Sequence, residues 1–408
     1  MRILVHDHSG HPFQAELSRE LAGRGHAVTH SFASGYVSGK GRLVAAPGEQ
    51  VTFEGIGGER PIDNLRFGRR LVREVQRGFA LYGQARRVRA EVVLVSNAQI
   101  PTLVVFALLM AVTRRPWVLW HQDVYAIAVR SFAGNRLGRA FRLVAACFEV
   151  AERWCAHRAA AIVVIAPSFV PVHERWGTAG KVVVIPNWAP LDEIRPVARA
   201  NDWSREHGLD GTKTLLYSGT LGLKHNPGLL VGLARQVLDA GQPVRLVVVN
   251  QGPAEEVLRE EAARLDVPLL LLPFQPYERL SDVLGSGDVL VVLLEQDAGA
   301  FSVPSKTLSY LCAGRPILGL MPAENLASTL VSEVDGCVLP PCEASLPAAA
   351  QWVREVLDDD ERRAVLGKAA RALAEEQFDL PRCADAFEAV LSGSARGGAT
   401  AVSDARRS

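Results

Sequence analysis

The chain has few cysteines and no pattern that would tie them together. None of its six cysteines stands in a Cys-x-x-Cys pair. This spacing argues against a zinc site or a disulfide framework, and it favours free thiols in a reducing cytoplasm. The sequence therefore predicts neither a metal centre nor a bound cofactor.

Long hydrophobic runs are also missing. The longest, Ile100–Val112, is too short to span a bilayer and predicts a buried helix, with shallow membrane contact as the less favoured alternative. The first residues, MRILVHDHSG, predict a short strand and lack the apolar stretch of a signal peptide. We expect a cytoplasmic protein, either free or peripheral on the inner face of the plasma membrane.

Charge is balanced overall but not along the chain. The net charge is +1, whereas residues 1–200 carry 26 Lys and Arg against 15 Asp and Glu. Such a basic half is expected to face something anionic, for example a lipid headgroup or a phosphate, with chance surface composition as the alternative. With 408 residues and 48% hydrophobic residues, the chain is long and apolar enough for two folded domains.

Short apolar runs alternate with segments of helical period, which predicts parallel sheets built from βαβ units. Residues 35–64 are rich in glycine and polar groups and predict a long loop. The predicted strands are Arg2–His6, Ala27–Phe32, Val92–Ser96, Trp117–Trp120, Ala161–Ile165 and Lys181–Ile185, followed by Thr214–Ser218, Arg245–Asn250, Leu269–Leu272, Val289–Leu293 and Ile317–Leu320.

The two series of strands predict an α/β protein with two Rossmann-like, doubly wound domains. We place the first domain at residues 1–188 and the second at 189–376, joined at the segment PNWAPLDEIRP. A helix over 377–392 is expected to pack back toward the first domain, and residues 393–408 are expected to be disordered. Ligands of such a pair are expected in a cleft at the carboxyl ends of both sheets.

One predicted helix, Arg66–Arg89, is strongly basic. It holds eight arginines and a single acidic residue, Glu74. This pattern predicts an amphipathic helix suited to an anionic membrane surface, although a solvated face over an ordinary core is equally compatible. Nucleic-acid binding is less favoured, since no aromatic-interleaved basic motif accompanies it. The apolar positions that recur at helical spacing are Leu71, Val75, Phe79 and Tyr82.

The first strand ends in a turn suited to a ligand. Ser9 and Gly10 can form a tight strand-to-helix connection in which glycine lets a phosphate approach backbone N–H groups. Three histidines crowd the same turn but lack a carboxylate or thiolate companion, so a metal site there is not favoured. These histidines are His6, His8 and His11.

A polar triplet follows the buried strand at WVLW. His121, Gln122 and Asp123 are expected to face a ligand and not the core, because burying them unpaired would be costly. The alternative for Asp123 is a helix N-cap.

The stretch LLYSGTLGLKHNP has the parts needed to hold a diphosphate. Gly219 and Thr220 follow a strand, and Lys224 stands close to the predicted start of a helix. A flexible loop with a cation near a helix start can stabilise the negative charge that grows on a departing phosphate.

Two further strand ends can receive a nucleotide base and ribose. Asn250 and Gly252 follow one strand, and Phe274 and Tyr277 follow the next.

The segment AGAFSVPSKTLSYLCAGRPIL predicts a second phosphate contact. Its Gly-rich entry leads to a predicted helix start, where free N–H groups and the Lys306 ammonium would face the same cleft. The contributing residues are Ser302, Val303, Ser305 and Lys306.

These segments together resemble the GT-B glycosyltransferases of family 4, in particular the colanic-acid, capsule and O-antigen fucosyl- and N-acetylfucosaminyltransferase branch. The resemblance runs from about residue 1 to 390. The matching motifs are His121-Gln122-Asp123, Pro186-Asn187-Trp188, Tyr217-Ser218-Gly219 through Lys224, Gln251-Gly252-Pro253, and Pro304-Ser305-Lys306 with Gly314.

The resemblance implies transfer of a sugar from a nucleoside-diphosphate donor, such as a GDP- or UDP-sugar, to a glycan or polyprenyl-linked acceptor. It further implies retention of configuration without a metal ion, with the donor on the second domain and the acceptor on the first. In that scheme His121 bonds a sugar hydroxyl, Asp123 orients it or the acceptor, and Lys224 acts in the transition state.

The sequence departs from the family pattern at three positions. Thr220 stands where an arginine is common, and the two glutamates of the family fall at Phe301 and Ser309. The ribose contact of the second glutamate would therefore fall to Ser309. Two other functions stay open: a catalytically silent nucleotide-sugar-binding homologue or partner subunit, and a nucleotide-sugar epimerase.

Overall fold

In a computed structural model of the protein, the chain folds into two compact α/β units. The first unit comprises Met1–Asn187 together with the helix Leu380–Ala395, and the second is Trp188–Asp379. Each unit holds one parallel sheet, so the predicted fold class is confirmed. The residues that the structure describes are 1–8, 12–34, 43–58, 67–122, 139–221, 225–250, 254–296 and 306–397.

Unit 1 is built on a seven-stranded parallel sheet in the order β3-β2-β1-β4-β5-β6-β7. Its inner strands are continuous hydrophobic runs, as expected where helices cover both faces of a parallel sheet. The strands are β1 Arg2–Asp7, β2 Ala27–Ala33, β3 Val51–Ile56, β4 Val92–Ser96, β5 Trp117–His121, β6 Ala161–Val164 and β7 Val182–Val184.

The edge strand β3 corrects one prediction. Residues 35–64 were expected to form a loop, but Val51–Ile56 pairs in parallel with β2 from Val28 to Ala33. Its sequence, VTFEGI, mixes apolar and polar residues and is only partly buried. An edge strand needs less hydrophobic sequence than an inner one, which is why composition alone missed it.

The helices of unit 1 connect its parallel strands, except for one that comes from the C-terminal end of the chain. They are α1 Pro12–Gly23, α2 Phe67–Arg87, α3 Ile100–Val112, α4 Arg139–Arg158, α5 Val170–Trp176 and, from the C-terminal end, α14 Leu380–Ala395. The hydrophobic face of α3 packs into the core, where Phe106 meets Trp117 edge to face at 5.6 Å. Its other face exposes Leu108 and Val112, so the helix predicted to be buried is covered on one side only. None of the helices described combines the length and hydrophobicity that a membrane crossing needs.

Helix α2 forms as predicted, but it buries a different face. Its buried side chains include the polar Glu74 and Arg77, whereas Leu71 and Phe79 are 43% and 56% exposed. The apolar stripe inferred from helical spacing is therefore only partly the core face, because Tyr82 packs against the core but Leu71 and Phe79 do not. The Glu74 carboxylate instead accepts bonds from Arg77 at 2.6 Å and from the Thr102 hydroxyl at 2.8 Å.

Unit 2 is built on a six-stranded parallel sheet in the order β10-β9-β8-β11-β12-β13. Its first strand lies in the middle, so the chain winds first to one side and then to the other. The strands are β8 Thr214–Ser218, β9 Arg245–Val249, β10 Leu269–Leu272, β11 Val289–Leu293, β12 Ile317–Leu320 and β13 Cys337–Leu339. The short β13 was not predicted.

The helices of unit 2 are α6 Asp202–Glu206, α7 Gly228–Asp239, α8 Glu255–Arg264, α9 Leu280–Gly285, α10 Lys306–Ala313, α11 Leu326–Glu333, α12 Leu346–Asp358 and α13 Asp360–Gln377. The start of the unit, predicted as a connector, is held by α13. The Arg371 guanidinium donates to the carbonyl oxygens of Ile194 at 2.9 Å and Cys312 at 3.1 Å. This part of the predicted connector is therefore fixed against the unit.

The C-terminal helix α14 is held to unit 1 by Arg24, by His26, whose Nε2 lies 2.9 Å from Glu388 Oε1, and by an aromatic contact. Arg24, which follows α1, donates to Asp385 at 2.6 Å and to Glu388 at 3.1 Å. Phe387 is buried against Trp120, with ring centroids 4.6 Å apart. The helix extends to Ala395, so it enters the segment that was predicted to be disordered.

Replacing Arg24 by alanine should loosen α14. The substitution removes three hydrogen bonds from the guanidinium to α14, at a cost of about 1 to 2 kcal/mol, and should speed amide exchange in this helix on the order of tenfold. Hydrogen-exchange mass spectrometry measures this directly. Arg2→Ala is the control, because it breaks an exposed pair with Glu91 that does not touch α14. Equal exchange in both variants would show that Arg24 does not hold the helix.

Candidate functional site

A crevice opens between β8 and β11 at the carboxyl end of the sheet of unit 2. Strand β8 pairs with β9 along its whole length, but its register with β11 covers only Leu215 and Leu216. Beyond them, the Tyr310 hydroxyl of α10 accepts from Ser218 N at 2.9 Å and donates to Ser218 O at 3.2 Å. The winding direction reverses between these two strands, and parallel sheets bind ligands at such a switch point.

Residues predicted to bind a diphosphate converge on this crevice. Gly219 and Thr220 leave β8, and Lys306 is the first residue of α10. The Lys306 ammonium donates to the Tyr217 hydroxyl and lies 4.4 Å from the centroid of its ring. A Cβ on Gly219 would lie 3.0 Å from Lys306 Cε, and the φ of Gly219 is +146°. The backbone conformation therefore favours glycine here, and an added Cβ would press on the Lys306 side chain.

The Lys306 ammonium has no anionic partner within the described ranges. None of their acidic side chains lies within the 4.0 Å of an ion pair. Burial lowers the pKa of Lys306 from 10.5 to about 7, because the charged form is poorly solvated. A bound anion would restore the solvation that the ammonium lost, so the site favours a negatively charged ligand.

Two hydrogen bonds hold Thr220 and Leu221, which follow β8. Tyr217 Oη donates to the carbonyl of Thr220 at 3.2 Å, and Asn250 Oδ1 accepts from Leu221 N at 2.8 Å. Asn250 was predicted to contact the base or ribose. It is fully buried, and its Nδ2 has no hydrogen-bond partner among the residues that the structure describes. The oxygen of Asn250 thus holds the loop, and its amide nitrogen is left as a donor.

The other predicted nucleotide contacts lie on two elements. Phe274 and Tyr277 follow β10 and are 45% and 51% exposed, so their rings are accessible for stacking. Ser309 lies one helical turn after Lys306 on α10, on the same face and partly buried. Their nucleotide-binding role stays a prediction.

Several predicted site residues lie outside the described residues. They are Ser9, Gly10, Asp123, Lys224, Gly252, Ser302, Val303 and Ser305.

In unit 1, His121 belongs to a chain of buried hydrogen bonds. Its Nε2 lies 3.0 Å from Glu152 Oε1, and its Nδ1 lies 3.2 Å from His173 Nε2. His173 Nδ1 in turn lies 3.0 Å from the Thr178 hydroxyl. Burial, assisted by His121, lowers the pKa of His173 to about 3, so this ring is neutral. A sugar hydroxyl could bond His121 only by displacing one of its two partners.

The histidines at the end of β1 are neutral as well. Burial lowers the pKa of His6 to about 4 and that of His8 to about 3. His6 Nδ1 lies 3.1 Å from the Ser31 hydroxyl. Over the described ranges, no group of three or more His, Cys, Asp or Glu residues is arranged to hold a metal ion.

Sequence reasoning assigned no role to Tyr217 or Tyr310. Each lies within a predicted phosphate segment and carries a hydroxyl into an apolar run. A buried tyrosine usually finds a hydrogen-bond partner for that hydroxyl, which was the available signal. Which partner it finds depends on tertiary structure.

Parts of the chain are similar to known glycosyltransferases. Residues 200–373 match the family described as glycosyl transferases group 1. Over 145 residues the chain is 28% identical to WcaI of Escherichia coli (strain K12), a glycosyl transferase named for colanic acid biosynthesis. That alignment spans 35% of this chain and 35% of the relative, which is about a third of its length.

Solved structures share this fold over most of the chain. The sucrose-phosphate synthase of Thermosynechococcus elongatus has a TM-score of 0.71 at 15% identity, covering 95% of this chain and 97% of that one. Anabaena Alr3699/HepE in complex with UDP has a TM-score of 0.69 at 16% identity, covering 96% and 100%. Another structure of the same protein contains UDP-glucose. With the family match, these findings confirm the resemblance to GT-B glycosyltransferases of the WcaI-like branch.

Replacing Gly219 by alanine should weaken binding of a nucleoside diphosphate by about tenfold or more, because the new methyl group displaces Lys306. Isothermal titration with UDP and GDP measures the loss. Gly241→Ala is the matched control: its φ is +83°, but nothing lies within 4 Å of the added Cβ. That variant should lose about 1 to 2 kcal/mol of stability and keep its affinity. Equal affinities in the two variants would exclude Lys306 from the binding site.

Proposed function

We propose that this chain, whose residues 200–373 form a glycosyl transferases group 1 domain, is a glycosyltransferase that uses a nucleoside-diphosphate sugar. The single observation that carries the proposal is the Lys306 ammonium, which lies without an acidic neighbour of the described residues at the switch point between β8 and β11. A donor diphosphate supplies the charge that such a site lacks.

The reaction we propose transfers the sugar with retention of configuration and without a metal ion. Lys306, together with the sequence-predicted Lys224, would neutralise the charge that develops on the leaving diphosphate. A leaving phosphate oxygen would take the acceptor proton as the sugar is delivered on the same face. Two lysines at the diphosphate can do the electrostatic work that a divalent cation does in other transferases.

The donor base would stack on the exposed rings that follow β10. Phe274 and Tyr277 offer apolar surface there, and the partly buried Ser309 lies on the helix that carries Lys306. The complexes of HepE with UDP and UDP-glucose support a uracil nucleotide, and the WcaI-like branch also suits a guanine nucleotide with fucose. The proposed acceptor is a glycan or polyprenyl-linked sugar held by unit 1, in the biosynthesis of a surface polysaccharide.

Lys306→Ala tests this function. It should lower turnover by on the order of 10²-fold or more, because the cation acts mainly on charge that develops in the transition state. The assay follows release of UDP or GDP and sugar transfer to polyprenyl-linked acceptors, with the donor first selected by thermal shift. Lys213→Ala is the control, since this lysine pairs at 3.7 Å with the exposed Asp360 away from the crevice. Lys224→Ala should resemble Lys306→Ala.

Three results would contradict the proposal. Full turnover in Lys306→Ala would remove the lysine from the chemistry. Binding of a nucleotide sugar without transfer to any acceptor would favour a silent homologue. Isomerisation of the donor sugar without an acceptor would favour an epimerase.

We propose further that unit 1 associates with the anionic cytoplasmic face of the plasma membrane through α2. This helix exposes Leu71, Val72 and Phe79 beside its arginines, while its acidic residue Glu74 is buried and paired with Arg77. Exposed apolar side chains on a basic helix are the combination that binds a charged lipid interface.

Leu71→Ser combined with Phe79→Ser should weaken binding to phosphatidylglycerol-containing vesicles by on the order of tenfold, because each side chain loses apolar area that would enter the interface. Vesicle co-sedimentation measures the binding, and added salt should weaken it in both proteins. Val365→Ser, which changes an exposed apolar residue of unit 2, is the control. Equal binding of the double variant and the parent protein would contradict a role for α2.

A further inference from the structure

We propose that Tyr217 is a positioning residue for the donor site: its hydroxyl holds the Lys306 ammonium at the crevice between β8 and β11 and ties it to the loop that follows β8. This inference rests on the proposed function, because the lysine it positions is the one proposed to bind the donor diphosphate.

The geometry gives the Tyr217 hydroxyl two partners at once. It accepts a hydrogen bond from Lys306 Nζ and donates one to the carbonyl of Thr220 at 3.2 Å. The directions are fixed, since an ammonium group can only donate and a carbonyl can only accept. Lys306 and the loop of Gly219 and Thr220 are therefore joined through one phenol, although they lie far apart in sequence.

Tyrosine suits this position because it holds a cation without neutralising it. Burial, assisted by Tyr310, raises the pKa of Tyr217 far above its ordinary value, so the phenol stays neutral. The ring face adds attraction to the ammonium at 4.4 Å. A carboxylate here would bind the lysine more strongly but would cancel the charge that attracts a phosphate. A flexible lysine side chain is thus restrained while its charge stays available.

We expect the hydrogen bond from Lys306 to the Tyr217 hydroxyl to influence how readily Lys306 is protonated. The described titratable groups that face it are phenols: Tyr217 on β8, and Tyr310 on its own helix, whose hydroxyl is bound to Ser218. Burial lowers the pKa of Lys306 to about 7. A hydrogen bond to the charged form of a group generally favours that form, so we expect the Tyr217 oxygen to oppose the lowering. Since an anion binds the charged ammonium best, diphosphate affinity should fall as the pH rises above this value.

The test compares Tyr217→Phe with Tyr310→Phe by titrating UDP, GDP and inorganic pyrophosphate between about pH 6 and about pH 9. Tyr217→Phe should bind about tenfold more weakly at neutral pH, and the fall in affinity should begin about one pH unit lower. Tyr310→Phe loses a buried hydroxyl of the same kind that does not bond Lys306. It should unfold at a lower temperature but keep the pH at which affinity falls.

A second variant covers the case in which Tyr217→Phe fails to fold. Placing 3-fluorotyrosine at position 217 keeps the ring and the hydroxyl but makes the oxygen a weaker acceptor. The fall in affinity should then shift in the same direction by a smaller amount. An unchanged pH dependence in this variant, or in folded Tyr217→Phe, overturns the inference.

A ligand-free measurement separates this inference from the proposed function. Labelling of Lys306 with acetic anhydride, followed by peptide mass spectrometry against pH, reports its ionisation without any substrate. A labelling profile shifted to lower pH in Tyr217→Phe supports the positioning role even if no sugar transfer is found. Unshifted labelling alongside normal transfer in that variant overturns the positioning role and leaves the proposed function standing.

Discussion

The candidate site of unit 2 depends on one interaction, in which the neutral phenol of Tyr217 holds the partly buried ammonium group of Lys306. A lysine in this position would ordinarily find a carboxylate, and the described residues offer Lys306 none within ion-pair distance. Three neighbouring residues accommodate Lys306 in this position. Gly219 leaves room for its side chain, and Tyr217 accepts its hydrogen bond. Tyr310 lies where β8 and β11 separate and bonds Ser218. The shape of the crevice, its positive charge and the position of Gly219 and Thr220 therefore depend on the same few contacts.

Two buried carboxylates of unit 1 are treated in the opposite way. Glu74 is satisfied by Arg77 and Thr102, and Glu152 by His121. In these networks opposite charges or neutral partners meet inside the protein, so little charge is left to attract a ligand. This contrast is why we assign the diphosphate to unit 2, and why the predicted sugar contact of His121 stays a prediction.

The sequence predicts the sheets well and the site only in part. Inner strands such as Val289–Leu293 are recognisable because parallel strands covered on both faces are continuously apolar, whereas the edge strands Val51–Ile56 and Cys337–Leu339 are short or mixed. The phosphate segments stay predictions, made because glycine and lysine follow the ends of strands there. The buried face of α2 could not be predicted from the sequence, because Glu74 is buried only where Arg77 and Thr102 bond it in the folded protein.

The departures from the family pattern are consistent with the electrostatics of the crevice. The resemblance implies an arginine at the position of Thr220 and a glutamate at that of Ser309, so one positive and one negative charge are replaced by hydroxyls. Ser309 lies one turn from Lys306 on the same face of α10, where a glutamate would be close enough to attract the ammonium. Without that carboxylate, Lys306 keeps its charge for a phosphate, which offsets the missing arginine. A site in which a neutral tyrosine holds the lysine, and in which no glutamate lies at position 309, can thus retain its attraction for a diphosphate.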